Sequence, residues 1–398
     1  MSANSSQRRG ASAALERPEH RLLLYCARTR VRGEAAEHLK QLAGESLDWD
    51  YLYQLARRHA VLPLLYWQLH ATAPSEIPPA QLRRLRDNFR QHTARNLYLT
   101  GELERIVTLF ESEGVAVIPY KGPALAACAY GNLALRRYVD LDILVHKRDL
   151  PRAKELLVRR GFAPRLSLTP AQERVLLRSQ HNLPFTREDG LLLVELHWEF
   201  AARRYASAAP EESVWSRLVG VKLGGREVKS LSPEDLLLSL CVHGTKHLWE
   251  RLAWVCDVAE LLNSQAQLDW PFVLAQARET RTERMLLLGL CLARTLLDAP
   301  LPADIERRVT AEPSVARLAE RVTARLFDGT EHRPAGLLAN ISFNLLARRG
   351  PLDRLRYFGF IFTPTDGDLA VLALPSHLSF VYYLLRPFRL LLKGDAGH

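Results

Sequence analysis

The sequence predicts an α+β protein: a small α/β core flanked by N-terminal and C-terminal helical regions. Three observations carry this expectation. Over residues 20–112, apolar residues recur three and four apart, as on a helical face. Over 113–230, short β-branched runs bounded by Gly and Pro replace that spacing. From Ser232 onward the helical pattern returns. The expected organisation is a loose polar lead over 1–18, an N-terminal helical region over 19–112, the α/β core over 113–230 and a C-terminal helical domain over 231–398.

In the first region, Leu22, Leu23, Leu24 and Tyr25 open an apolar segment, and Trp49, Leu52, Leu55 and Ala56 share one face. The turn-rich stretch 71–79 breaks the pattern. One long helix is expected over Gln81–Phe110, with Leu82, Leu85, Phe89, Leu97, Leu103, Ile106, Leu109 and Phe110 toward the core. Its other face carries Arg83, Arg84, Arg86, Arg90 and Arg95, either a solvated face or an anion-binding patch.

In the core, strands are expected at 115–119, 140–145 and 191–198. Pro123 suits the first turn of a helix and Gly131 its end. Asp149 is placed to cap a helix running to Gly161, and 169–179 reads as another short helix. Further helices are expected around 235–248, 252–263, 271–278, 282–297 and 303–326. The tail at 378–394 mixes apolar residues with Arg386, Arg389 and Lys393, and reads as a helix lying on the protein's own core or on a membrane surface.

Composition narrows the function classes. With 398 residues, 47% hydrophobic and 25% charged, the chain can bury a sizeable core and is not a disordered polymer. No apolar run reaches the length of a spanning helix, and the first residues have no signal-peptide core. Five scattered cysteines form no paired motif, which fits a reducing cytoplasm and excludes a zinc knuckle. The net charge of +10 favours anionic partners, although an arginine-rich composition gives the same balance.

Residues 115–200 hold the chemistry. In 140–145 the strand period of two puts Asp140, Asp142 and Leu144 on one face. Two carboxylates on an apolar strand repel, and burying them without a partner costs several kcal/mol each. A divalent cation removes that conflict; a wet edge strand is the plainer alternative. Glu195 repeats the situation on its own strand and shares a face with His197. If the strands are neighbours, three carboxylates converge, a layout suited to two cations. Lys121 and Gly122 follow a strand and precede a helix, so Gly122 permits close backbone approach and Lys121 offers charge to a phosphate. The segment is not a Walker A loop. His243 and His247 lie four apart on one helical face with Lys246 between them, but HExxH is absent. Helix–helix hydrogen bonding, phosphate or acceptor contact, and zinc all remain open for them. His197 is either an orienting group or a hydrogen-bonded core residue, and His181 and Asn182 precede a short apolar run and are weaker candidates for pointing to the site.

The order of these features resembles the uncharacterised nucleotidyltransferase family of the polymerase-β-like superfamily. The residues that carry the resemblance are Y-K-G-P-A-L at 120–125, L-R-R-Y-V-D-L-D-I-L-V at 135–145 and V-E-L-H-W at 194–198, supported by 243–249 and 252–258. It implies a small mixed sheet, metal ligation by Asp140, Asp142 and Glu195 with Mg2+ or Mn2+, and Lys121, Gly122 and Arg136 beside a nucleoside triphosphate. It further implies transfer of a nucleotidyl group to an acceptor hydroxyl on a small molecule, a glycan or an RNA end. A nucleotide- or nucleic-acid-binding module on the same fold is the alternative. Two departures stand out. The superfamily's usual Gly-Ser turn is Gly122-Pro123 here, which leaves Lys121 and backbone N–H groups to hold the phosphates. The third acid is Glu195 where Asp is common. The resemblance does not specify the acceptor.

Overall fold

The computed structural model describes residues 16–199, 211–265, 267–329, 335–359, 362–371, 374–375 and 378–392. The polar lead through residue 15 and the end of the tail from 393 lie outside the described residues.

Among the described residues, four short helices come first: α1 (Pro18–Cys26), α2 (Glu34–Ala43), α3 (Trp49–Arg58) and α4 (Leu62–Thr72). Asp48 caps α3 by accepting the Tyr51 N–H. The long helix α5 runs Pro79–Ser112. Its buried stripe continues through Asn96, Leu99, Leu103, Ile106 and Phe110, while Leu97, expected in the core, is 57% exposed. The alternating spacing of three and four selects Leu99 and turns Leu97 outward. On the basic face, Arg84 pairs with Asp50 at 2.5 Å and Arg86 with Asp87 at 3.8 Å.

The core follows as β1 (Val117–Pro119), α6 (Gly122–Leu125), β2 (Asp140–Val145), α7 (Leu150–Arg159), β3 (Phe162–Pro164), α8 (Pro170–Ser179), β4 (Asn182–Arg187) and β5 (Leu193–His197). The expected Pro123–Gly131 helix is a single α turn followed by a π turn over Ala126–Tyr130, and it ends at Gly131 with φ +65°. Asp149 does not cap α7: its backbone is already helical and its side chain makes no cap bond. Thr169 does cap α8, through a reciprocal box with Gln172.

The five strands form one mixed sheet in the order β1-β2-β5-β4-β3. β1 is antiparallel to β2, β2 parallel to β5, and β4 antiparallel to both β5 and β3. One face carries Leu141, Ile143, Val145, Val194 and Leu196 into a core shared with α5, α7 and α8. The other face carries Tyr120, Leu144 and the polar side chains described below, and turns toward a core shared by the N- and C-terminal helices.

After helix α9 (Glu211–Trp215), a hairpin of β6 (Val219–Leu223) and β7 (Arg226–Ser230) leads to the C-terminal helices. These are α10 (Pro233–Lys246), α11 (Leu252–Ser264), α12 (Trp270–Glu279), α13 (Glu283–Leu297), α14 (Ala303–Thr310), α15 (Pro313–Leu326), α16 (Leu337–Leu346), α17 (Pro351–Phe358), α18 (Asp366–Leu369) and α19 (Val381–Leu392). The helix expected over 303–326 is split into two, because Pro313 lacks the N–H that a continuous helix needs and starts a new one instead. In α19, Tyr382 is fully buried against the protein and Arg386 pairs with Asp368 at 3.3 Å, while Leu384 and Phe388 are exposed. Among the described residues, no helix is long and apolar enough to cross a membrane.

Candidate active site

Strand register assembles the site. Parallel pairing puts Asp142 opposite Glu195 and Leu144 opposite His197; on the far side of β5, Asn182 lies opposite His197. Asp142, Glu195 and His197 each present a ligand atom, all within 4.8 Å of one another. His197 Nε2 lies 3.0 Å from Asp142 Oδ1 and 3.3 Å from Glu195 Oε2. A nitrogen between two carboxylates must carry the proton and donate it. Asn182 donates its amide N–H to Glu195 Oε2 at 2.9 Å, which fixes that carboxylate on the β4 side.

Lys121 completes the arrangement from the turn after β1. Its Nζ lies 3.1 Å from Asp142 Oδ1. Gly122 is required here: its φ is +52°, and a Cβ would stand 3.3 Å from Asp140 O. The turn therefore approaches the strand closely enough to lay Lys121 across Asp142. The His197 ring meets Tyr120 edge-on at 5.5 Å and His181 at 5.7 Å.

The electrostatics divide the acids. Burial alone raises a carboxyl, but Lys121 and His197 hold Asp142 well below the usual range. Glu195 is lowered as well, because the His197 contact outweighs its burial. Asp140 lacks such a partner: burial, Asp142 and Glu195 push it up to about 6. His197 and Lys121 are both raised, since the neighbouring carboxylates overcome the burial that disfavours their charge. Uncompensated negative charge thus collects at Asp140, which lies on the same strand face but outside the compact trio. A divalent cation fits that need. Within the trio, the carboxylate oxygens of Asp142 and Glu195 are the hard donors that magnesium and manganese prefer, and His197 offers a nitrogen.

The other expected residues lie around this centre. Arg136 makes a buried two-point ion pair with Asp257 of α11, at 2.7 and 2.9 Å, and Tyr130 donates to the same carboxylate at 2.7 Å. Its charge still acts on Asp140. Asn96 of α5 holds this loop by donating to Leu133 O at 2.6 Å and Arg136 O at 2.9 Å. His243 and His247 sit 4.7 Å apart, ring to ring, and both flank Trp254. Burial first, then the charges of Lys121 and Lys246, hold both imidazoles well below their usual range, so they are neutral.

Sequence reasoning missed Asn96, Tyr130 and the Asp257 partnership. Asn96 left a trace: it is polar where the three-and-four stripe of α5 calls for an apolar residue.

A family model described as an uncharacterised nucleotidyltransferase matches residues 45–298, and the chain belongs to that family. No curated protein matches it.

Proposed function

We propose that this nucleotidyltransferase moves a nucleoside monophosphate from an NTP to an acceptor hydroxyl and releases pyrophosphate. The observation that carries the proposal is the register match of Asp142 with Glu195, closed by His197 and Lys121. Asp140, Asp142 and Glu195 are the ligands for Mg2+ or Mn2+, which, when bound, supply charge neutralisation to the phosphates and acidity to the attacking hydroxyl, in one or two positions.

The remaining work falls to the chain itself. Lys121 exchanges its Asp142 contact for a phosphate oxygen and stands in for the hydroxyl that Pro123 does not provide. His197 and Asn182 hold the Asp142 and Glu195 carboxylates in place, so little reorganisation is left for the reacting complex. Arg136 is locked by Asp257 and contributes its field rather than a mobile contact. The five cysteines are free, which suits a cytoplasmic setting.

The test is titration calorimetry of ATP, CTP, GTP and UTP with magnesium, alongside pyrophosphate release, for the native protein and the Asp140→Asn/Asp142→Asn double variant. The proposal expects at least one nucleotide to bind the native protein and to bind the variant at least tenfold more weakly. Equal binding and equal turnover by the two proteins would defeat it.

A further inference from the structure

Four arginines from four segments gather at the surface beside the approach to β2. Arg57 lies in the last turn of α3, Arg95 lies on α5, Arg137 precedes β2 and Arg251 precedes α11, and all four are exposed. Contacts of their neighbours bring them together. Asn96, beside Arg95, donates to Arg136 O at 2.9 Å. His59, two residues after Arg57, accepts the Leu252 N–H on Nδ1 at 3.3 Å, and its carbonyl accepts the Ala253 N–H at 3.1 Å. The Arg136–Asp257 pair ties the β2 approach to α11.

The four feel one another. Arg137 is lowered by partial burial and by the charges of Arg251, Arg57 and Arg95. Among the described residues none of the four forms an ion pair; Arg95 reaches Leu191 O at 3.5 Å, and Arg251 lies over Trp254 at 5.7 Å. Arginines elsewhere on the surface do find acids, as Arg84 does with Asp50 and Arg226 with Glu111 at 2.6 Å. Like charges held together with no counter-charge weaken the fold unless a ligand offsets them.

The patch also leads inward. Arg251 lies over Trp254, whose ring meets His243 at 5.5 Å and His247 at 5.3 Å at the end of α10; Lys121 acts on both imidazoles and touches Asp142. Positive charge therefore runs from the acid cluster, past α10, to the arginine edge.

We infer that these four arginines dock a single nucleic-acid strand by its phosphates, with the strand's end directed along this track toward Asp142; that the end is the acceptor rests on the proposed transfer reaction. A lone phosphate is satisfied by one two-point arginine contact. Charges contributed by four separate segments instead match successive phosphates of a strand.

The test uses the full chain without NTP or metal, so failure of nucleotide binding leaves its result standing. Fluorescence anisotropy follows a labelled single-stranded RNA of about twelve nucleotides as KCl rises from about 50 to 300 mM. Three or four phosphate contacts predict a log–log slope of about −2 to −3, at about −0.7 per contact. Arg137→Gln/Arg251→Gln should cut the affinity at least tenfold and flatten the slope by about 1.4, with unchanged circular dichroism. Arg226→Gln, at the surface away from the patch, should change neither. Salt-independent binding, or undiminished binding by the double variant, overturns the inference. So does displacement of the RNA by inorganic tripolyphosphate at an equal concentration of phosphate groups, which would assign the patch to a small polyphosphate.

Discussion

Acidification from pH 7.5 to 5 should cost the protein about 2 kcal/mol of stability through His59 alone. The residue is fully buried at the end of α3. Its Nε2 faces Leu326 O at 2.7 Å, so that nitrogen carries the hydrogen. Its Nδ1 must then accept the Leu252 N–H at 3.3 Å. A second proton would turn the Leu252 contact into two N–H groups facing each other, and burial opposes the charge as well. Burial first, and then the neighbouring Arg58, accordingly lower the imidazole from 6.5 to about 3. The sign follows from linkage. Below pH 6.5 the unfolded chain binds a proton that the folded chain refuses, so stability is lost as pH falls, until about pH 3. The full loss over that window is about 5 kcal/mol, at about 1.4 kcal/mol per pH unit. Other buried imidazoles titrate as well, His243 and His247 in the same direction and His197 in the opposite one, so the assay must isolate this one. Urea unfolding at pH 7.5 and 5 is compared for the native protein and His59→Gln, which keeps a donor and an acceptor but does not titrate. The native protein should lose about 2 kcal/mol more than the variant between the two pH values. Equal losses would show that the ring is not held neutral and would refute the reasoning.

Two further outcomes concern the framework around the site. Asp257→Ala leaves the Arg136 guanidinium buried without its partner and should cost about 3–5 kcal/mol in urea unfolding. Adding Arg136→Met should recover most of that loss, and purely additive losses would show that the pair is not coupled. Gly244→Ala drives a methyl to 2.6 Å from the fully buried Trp249 ring and should lower stability by about 1–3 kcal/mol, read as a lower thermal midpoint. A midpoint unchanged from native would mean that the ring moves freely. Gly131→Ala, which meets no neighbour but keeps φ +65°, should cost only about 1 kcal/mol.

Periodicity made the helices legible, and chemistry made the acids legible. The strand over Asp140–Val145 and the helices at 233–246 and 252–264 fall where spacing and caps put them. What spacing could not show was strand pairing. β3 has only three residues, and β4 carries Pro184, which cannot donate to a ladder, so neither announced itself. The β6–β7 hairpin was missed although it left a signal: exposed Lys222, Glu227 and Lys229 alternate with buried Val221, Leu223, Val228 and Ser230 on either side of Gly224-Gly225.

Pairing also decides the composition of the site. From the sequence, Asp140 and Asp142 are equivalent acids on one strand face. The structure makes them unequal, because β5 runs parallel to β2 in a register that sets Glu195 beside Asp142 and leaves Asp140 opposite Leu193. Lys121 and His197 then both address Asp142. Two cationic groups suffice for Asp142 and Glu195, and the unmet charge falls on Asp140, the acid pushed up to about 6. The same register makes His197 part of the cluster: two residues beyond Glu195 on the same face, its ring reaches back over both acids. A shift of β5 by one residue would turn Glu195 and His197 to the opposite face of the sheet and leave the Asp-x-Asp strand without partners. The candidate site is therefore a property of sheet register as much as of its acids.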